Sequence, residues 1–139
     1  MAVLGVSGMQ YSGETFPDIR IILGEDSNVF TQMISQRLKE LMGVDIEICR
    51  TFEDLQMANE LSDEPVKLAI SNINLPGAEN GEALEYLIDC NIPTVVFTGT
   101  FQDEMREKLL AKDIVDYILK DNIFAVEMLA ESVYRFLTN

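Results

Sequence analysis

The sequence predicts an α/β fold built on a parallel sheet, and three observations lead there. Short runs rich in β-branched residues recur at 19–23, 44–48, 66–71, 94–97 and 115–119, each bounded by polar or turn-forming residues. Segments with apolar residues at near-helical spacing lie between these runs and after the last of them. With strand and helix alternating, neighbouring parallel strands are joined by crossovers through helices, and right-handed crossovers place those helices on both faces of the sheet.

Residues 1–17 are rich in Gly and Ser and show no sustained period, so they are expected to form a flexible leader, with the domain occupying 18–139. After the first strand, Val29, Phe30, Met33, Ile34, Leu38, Leu41 and Met42 recur at helical spacing behind Ser27, an N-cap, and Gly43 supplies a stop. Thr51 with Asp54 forms a capping-box start for a helix over 52–61, ended by the loop at 62–65. Gly81 opens a helix over 82–90, and Pro93 begins the next strand. A helix over 102–112 places Met105, Leu109 and Leu110 on one side and sets Glu104 and Lys108 as an i, i+4 pair. The last helix, 123–138, repeats Phe124, Met128, Leu129, Val133, Phe136 and Leu137. Strands 66–71 and 94–97 are the most continuously apolar and are expected to be central, covered on both faces.

Composition excludes several classes of function. The chain of 139 residues carries 24 Asp plus Glu against 10 Lys plus Arg, a net charge of -14. Such a surface is repelled by phosphate backbones, so no nucleic-acid partner is expected for this domain. The absence of His removes the commonest general base and zinc ligand. Cys49 and Cys90 stand isolated and read as reduced thiols packed as small hydrophobes. No apolar stretch is long enough to span a membrane and no basic region opens a signal peptide, so a cytoplasmic location without a membrane partner is expected. The end just after the fifth helix suits either a complete single-domain protein or one module of a longer polypeptide.

In open α/β sheets the ligand crevice lies beyond the carboxyl ends of the strands. There the sequence places Glu25 and Asp26 after strand one, Asn72 and Asn74 after strand three, Thr98 after strand four and Lys120 after strand five. Oxygen donors without His or Cys suit a hard cation such as Mg2+, and a hydroxyl and an ammonium opposite it would complete a pocket for a phosphoryl group. Each residue alone has an ordinary reading as a cap, a turn or a solvated charge; their joint placement at one edge points to a site.

These segments resemble the receiver domains of two-component response regulators, of the general shape of the chemotaxis receivers. The resemblance covers about 18–138 and is carried by 21–27 (Ile-Ile-Leu-Gly-Glu-Asp-Ser), 68–77 (Leu-Ala-Ile-Ser-Asn-Ile-Asn-Leu-Pro-Gly), 93–99 (Pro-Thr-Val-Val-Phe-Thr-Gly) and 115–120 (Val-Asp-Tyr-Ile-Leu-Lys). It implies a doubly wound, flavodoxin-like sheet of strand order 2-1-3-4-5 in a domain that is not an enzyme. It also implies that Glu25 and Asp26 fill the acidic-pair positions, Asp26 as the direct metal ligand, with Asn74 offering its carbonyl to the metal. Thr98 and Lys120 would face the phosphoryl group, and Tyr117 takes the place of the aromatic whose rotamer follows the Thr.

The departure from the family pattern is Asn72, which stands where the family carries its phosphoacceptor Asp. An amide oxygen is a far weaker nucleophile than a carboxylate and yields no acyl-phosphate. Strand alternation turns the neighbouring Ser71 to the opposite face. With one negative group fewer, Mg2+ would be held more weakly. Asp121 follows Lys120 where the family usually has Pro and a cis bond, and three residues separate Gly77 from Gly81 where two are commoner.

The expected function is a non-phosphorylatable regulatory module that acts through domain or subunit contacts. The alternative is a phosphorylatable receiver whose acceptor Asp has been replaced by Asn72, taking its phosphoryl group from a histidine kinase. Partners implied by the resemblance are a histidine kinase or another signalling domain and an attached output domain such as a diguanylate cyclase. The mixed charges Glu104, Arg106, Lys108, Asp116 and Arg135 on the family's usual output face would suit a homodimer. A hydrolase using only Glu25 and Asp26 with Mg2+ would lack a positioned base or nucleophile.

Overall fold

A computed structural model of the chain describes residues 11–99, 103–110 and 112–139, the side chains of Asp103 and Met105 excepted. The first ten residues of the expected leader and the expected inward placement of Met105 therefore lie outside the described residues. Strands β1 (Ile21–Gly24), β2 (Ile46–Cys49), β3 (Leu68–Ser71), β4 (Thr94–Thr98) and β5 (Asp116–Leu119) alternate with helices α1 (Asn28–Met42), α2 (Phe52–Glu60), α3 (Glu82–Asp89), α4 (Asp103–Leu110) and α5 (Ala125–Thr138). All neighbouring strands are parallel, in the order β2-β1-β3-β4-β5.

Local chemistry sets the helix ends. Ser27 accepts the Phe30 N–H at 3.3 Å, and Thr51 accepts the Asp54 N–H at 3.0 Å, each satisfying a donor that the first helical turn leaves free. Gly43 closes α1 at φ 65°, where its N–H reaches Lys39 O at 3.0 Å; a side chain there would be strained. The strand runs β1, β3 and β4 are buried along their whole length, while β2 and β5 at the two edges are partly exposed.

Strand alternation sorts the core into layers. Ile21, Leu23, Ile70, Val95 and Phe97 pack with Ile34 and Leu38 of α1 and Leu129 and Val133 of α5. On the opposite face Ile22 and Ala69 meet Leu55 of α2 and Leu87 of α3, and Val96 meets Leu84 of α3 and Leu109 of α4. Helices thus cover both faces, as the crossover rule requires. No helix among the described residues is long and apolar enough to cross a membrane.

Three details depart from sequence expectation. Lys108 pairs with Glu85 of α3 at 3.5 Å and not with Glu104, because the neighbouring helix presents a carboxylate across the gap that periodicity within α4 cannot reveal. Leu109 is buried, but Leu110 is half exposed and does not share its inward side. Residues 11–17, set aside on composition, pack against the domain. Tyr11 is buried with its ring edge-on to Tyr134 at 5.0 Å, Ser12 N donates to the Tyr134 hydroxyl at 3.3 Å, and Phe16 N donates to Met42 O at 2.8 Å.

Both cysteines are free. Burial, with smaller contributions from Glu47 and Asp54, pushes the Cys49 thiol from 9.0 up to about 12, and burial with Glu127 and Glu131 pushes the Tyr11 hydroxyl from 10.0 to about 12. A group whose pKa is raised by folding supports the folded state fully below its unfolded value and loses that support as pH climbs to the folded value. Stability measured by urea unfolding is therefore expected to fall between pH 9 and 12, through Cys49 first and then Tyr11. Over the same range an alkylating reagent should modify exposed Cys90 and spare Cys49 while the protein stays folded; equal labelling of the two thiols would contradict this.

Candidate functional site

The carboxyl ends of the strands are stitched by main-chain bonds. Asn72 N donates to Gly24 O at 2.9 Å, Glu25 N to Cys49 O at 3.1 Å, and Lys120 N to Thr98 O at 2.8 Å. Gly24 allows the closest approach: a Cβ there would meet Ser71 Oγ at 2.8 Å and Leu75 Cδ1 at 3.0 Å. These bonds set Asn72 between the end of β1, which leads into Glu25, and the end of β4, which carries Thr98.

Glu25 is buried, 1% exposed; Oε1 forms an ion pair with Lys120 Nζ, and Oε2 accepts the Ser27 N–H at 3.1 Å. Lys120 lies over an aromatic platform, its Nζ 4.7 Å from the Phe30 ring centroid and 5.6 Å from that of Phe97, while the two rings meet edge to face at 5.5 Å. The ammonium is thus held between a carboxylate and two π faces, both of which favour its charge. Asp26, next in sequence, is exposed and makes no ion pair among the described residues.

Asn72 is half buried, and its Oδ1 is shielded from solvent with no hydrogen-bond donor among the described residues. Ser71 is fully buried and spends its hydroxyl on Asn72 O at 2.9 Å, so it is not turned toward the crevice. Thr98 is buried at the end of β4, and Asn74 is half buried in the loop after β3. Tyr117 is half buried on β5, and its buried hydroxyl has no hydrogen-bond partner among the described residues. Burial raises its pKa against an opposing effect of Arg106, whose guanidinium carbon lies 5.9 Å from the ring centroid. The Lys120–Asp121 peptide is trans.

The residues predicted from sequence therefore lie at one edge of the sheet, and the structure joins Glu25 directly to Lys120. A divalent cation was expected to use Glu25, Asp26 and Asn74, and the donor set does not fit one held tightly. Glu25 is neutralised by Lys120 and position 72 contributes no charge, which leaves Asp26 as the carboxylate of this edge without an ion pair among the described residues. Among the described residues no group of three or more His, Cys, Asp or Glu side chains could hold a metal ion. Phe30 and Phe97 were read from sequence only as core residues; nothing in the spacing shows that their rings flank an ammonium carried by β5.

On the expected output face the charges are largely engaged within the chain. Asp116 accepts from the Ser132 hydroxyl and from Tyr117 N, and Arg135 pairs with Glu131 at 2.5 Å.

The sequence matches no protein-family model and no curated protein. Solved structures do match. A protein described as a two-component system response regulator/GGDEF domain protein is 28% identical with a TM-score of 0.75 over 88% of this chain and 49% of its own. The chain therefore spans about half the length of that neighbour. The receiver domain of Francisella response regulator 1452 is 18% identical with a TM-score of 0.72, covering 87% of this chain and 98% of that one. The Mn(2+)-bound form of response regulator Rcp1 is 18% identical with a TM-score of 0.70, covering 86% and 94%.

Proposed function

We propose that this chain, a receiver domain of the two-component response-regulator kind, regulates through contacts and without accepting a phosphoryl group. The observation that carries this reading is the amide of Asn72 at the end of β3, where a phosphoacceptor would need an ionised carboxylate. The surroundings support it. Ser71 is turned to the main chain and cannot substitute, and Lys120, which would stabilise a bound phosphoryl group, is already neutralised by Glu25. The domain is a regulatory module and not a catalyst. It acts in the cytoplasm, docking a histidine kinase or another signalling domain, with an attached output domain such as a diguanylate cyclase, an arrangement that accords with the response regulator/GGDEF neighbour. Mg2+ would bind weakly, through Asp26 with Asn74.

Incubation with Mg2+ and a small phosphodonor, read by intact mass spectrometry, should add no phosphoryl group to the protein. A stoichiometric adduct would refute the reading. The alternative, a receiver whose acceptor Asp has been replaced at position 72, is favoured by one observation: Thr98 and Lys120 are retained at the carboxyl edge of the sheet and Tyr117 within β5. On that reading Asn72→Asp would become stoichiometrically phosphorylated under the same conditions, and the native codon would specify Asp.

A further inference from the structure

One border of the sheet is β2, which among the described residues pairs with β1 alone, in a register running from Ile21↔Ile46 to Gly24↔Cys49. Cys49 O accepts the Glu25 N–H, so alternation along the strand turns the main-chain groups of Glu47 and Cys49 toward β1. The N–H and C=O groups of Ile46 and Ile48 then face outward, as a template for a further strand. Beside this open edge, between β2 and α2, lies a groove of about 450 Å3 walled by Ile48, Met57, Ala58 and Leu61. Leu61 is 75% exposed, and Met57 and Ile48 are exposed with it, so three large apolar side chains meet solvent at one place.

The charges around the groove indicate its occupant. Glu47 and Asp54 line it, and exposed Asp63 and Glu64 follow Ser62 of the lining. Arg20, the cation in the lining, is already engaged by Glu47 at 2.8 Å, by Glu64 O at 3.0 Å and by Ala58 O. Arg50, next after the strand, donates to Asn28 Oδ1 at 2.7 Å. The potential presented at this edge is therefore acidic, on a chain of net charge -14. A second copy of the chain would bring an equally acidic edge against it and is repelled. An extended segment carrying β-branched and basic side chains gains main-chain hydrogen bonds, apolar cover and charge attraction together.

We propose that the β2 edge receives an extended segment of a partner protein, rich in β-branched and basic residues, as one more strand beside the five of the sheet. Its main chain bonds to Ile46 and Ile48, its apolar side chains cover Met57 and Leu61, and its cations meet Asp54 and the acidic rim. The same rim keeps copies of this chain off the edge. This interaction goes beyond the regulatory reading and holds whether or not position 72 accepts a phosphoryl group.

The test uses the full chain and a labelled peptide of repeated Lys-Lys-Val-Val, which puts both residue types on each face of a strand. Binding is followed by fluorescence anisotropy and by NMR amide exchange. On saturation the amides of Ile46 and Ile48 are expected to exchange several-fold more slowly, while those of Glu47 and Cys49, already turned to β1, keep their rates. The same peptide with every amide N-methylated keeps its charge and side chains but has no N–H to donate, and should bind about tenfold more weakly. Equal affinity of the two peptides would reduce the interaction to charge attraction and overturn the proposal. So would unchanged exchange at Ile46 and Ile48, or slow exchange of both in the free protein, which would show the edge already covered. Protection that grows with protein concentration in the absence of peptide would also overturn it and assign the edge to a second copy.

Discussion

Lys120→Met is expected to destabilise the protein by about 3–5 kcal/mol, because it leaves the buried Glu25 carboxylate without its counter-charge. The carboxylate would keep only the Ser27 N–H, and the apolar replacement would lie against Phe30 and Phe97 without answering its charge. Adding Glu25→Gln should recover most of the loss, since removing both charges also removes the cost of burying them. The check is the urea midpoint of the two single variants and the double variant at constant slope. The double variant should be more stable than Lys120→Met alone. A near-neutral Lys120→Met would show that the pair is hydrated and that Lys120 remains free for an incoming anion, which would also weaken the functional reading.

Phe97→Ala is expected to cost about 3–5 kcal/mol, the range for removing a fully buried aromatic ring. Phe97 is 0% exposed on β4, meets Phe30 of α1 edge to face, and forms part of the platform beneath Lys120. The substitution therefore opens a cavity in the core and loosens the ammonium at the same time. By contrast Leu110→Ala, at a half-exposed position on α4, should stay within about 0.5 kcal/mol. Thermal or urea unfolding of the two variants side by side would expose a wrong assignment of layers if their effects were similar.

How far the sequence was legible follows from the range of the interactions involved. The alternation of strands and helices, the caps at Ser27 and Thr51 and the stop at Gly43 are local, set by residues within a turn of each other, and the structure has them where the pattern placed them. The collection of Glu25, Asn72, Thr98 and Lys120 at one edge follows from parallel strands alone. What stayed hidden depends on partners far away in the chain. Tyr11 meets Tyr134, and Lys108 meets Glu85. The division of roles within the acidic pair was hidden too, because adjacent residues point in different directions at a strand end. There Glu25 turns inward to Lys120 and Asp26 outward to solvent.

The bonds from Asn72 N to Gly24 O and from Lys120 N to Thr98 O are made by backbone atoms, which every residue but proline can supply. Architecture at this rim is consequently indifferent to the functional group mounted on it. Reactivity can be deleted by exchanging one oxygen for a nitrogen while the frame that other molecules feel keeps its outline.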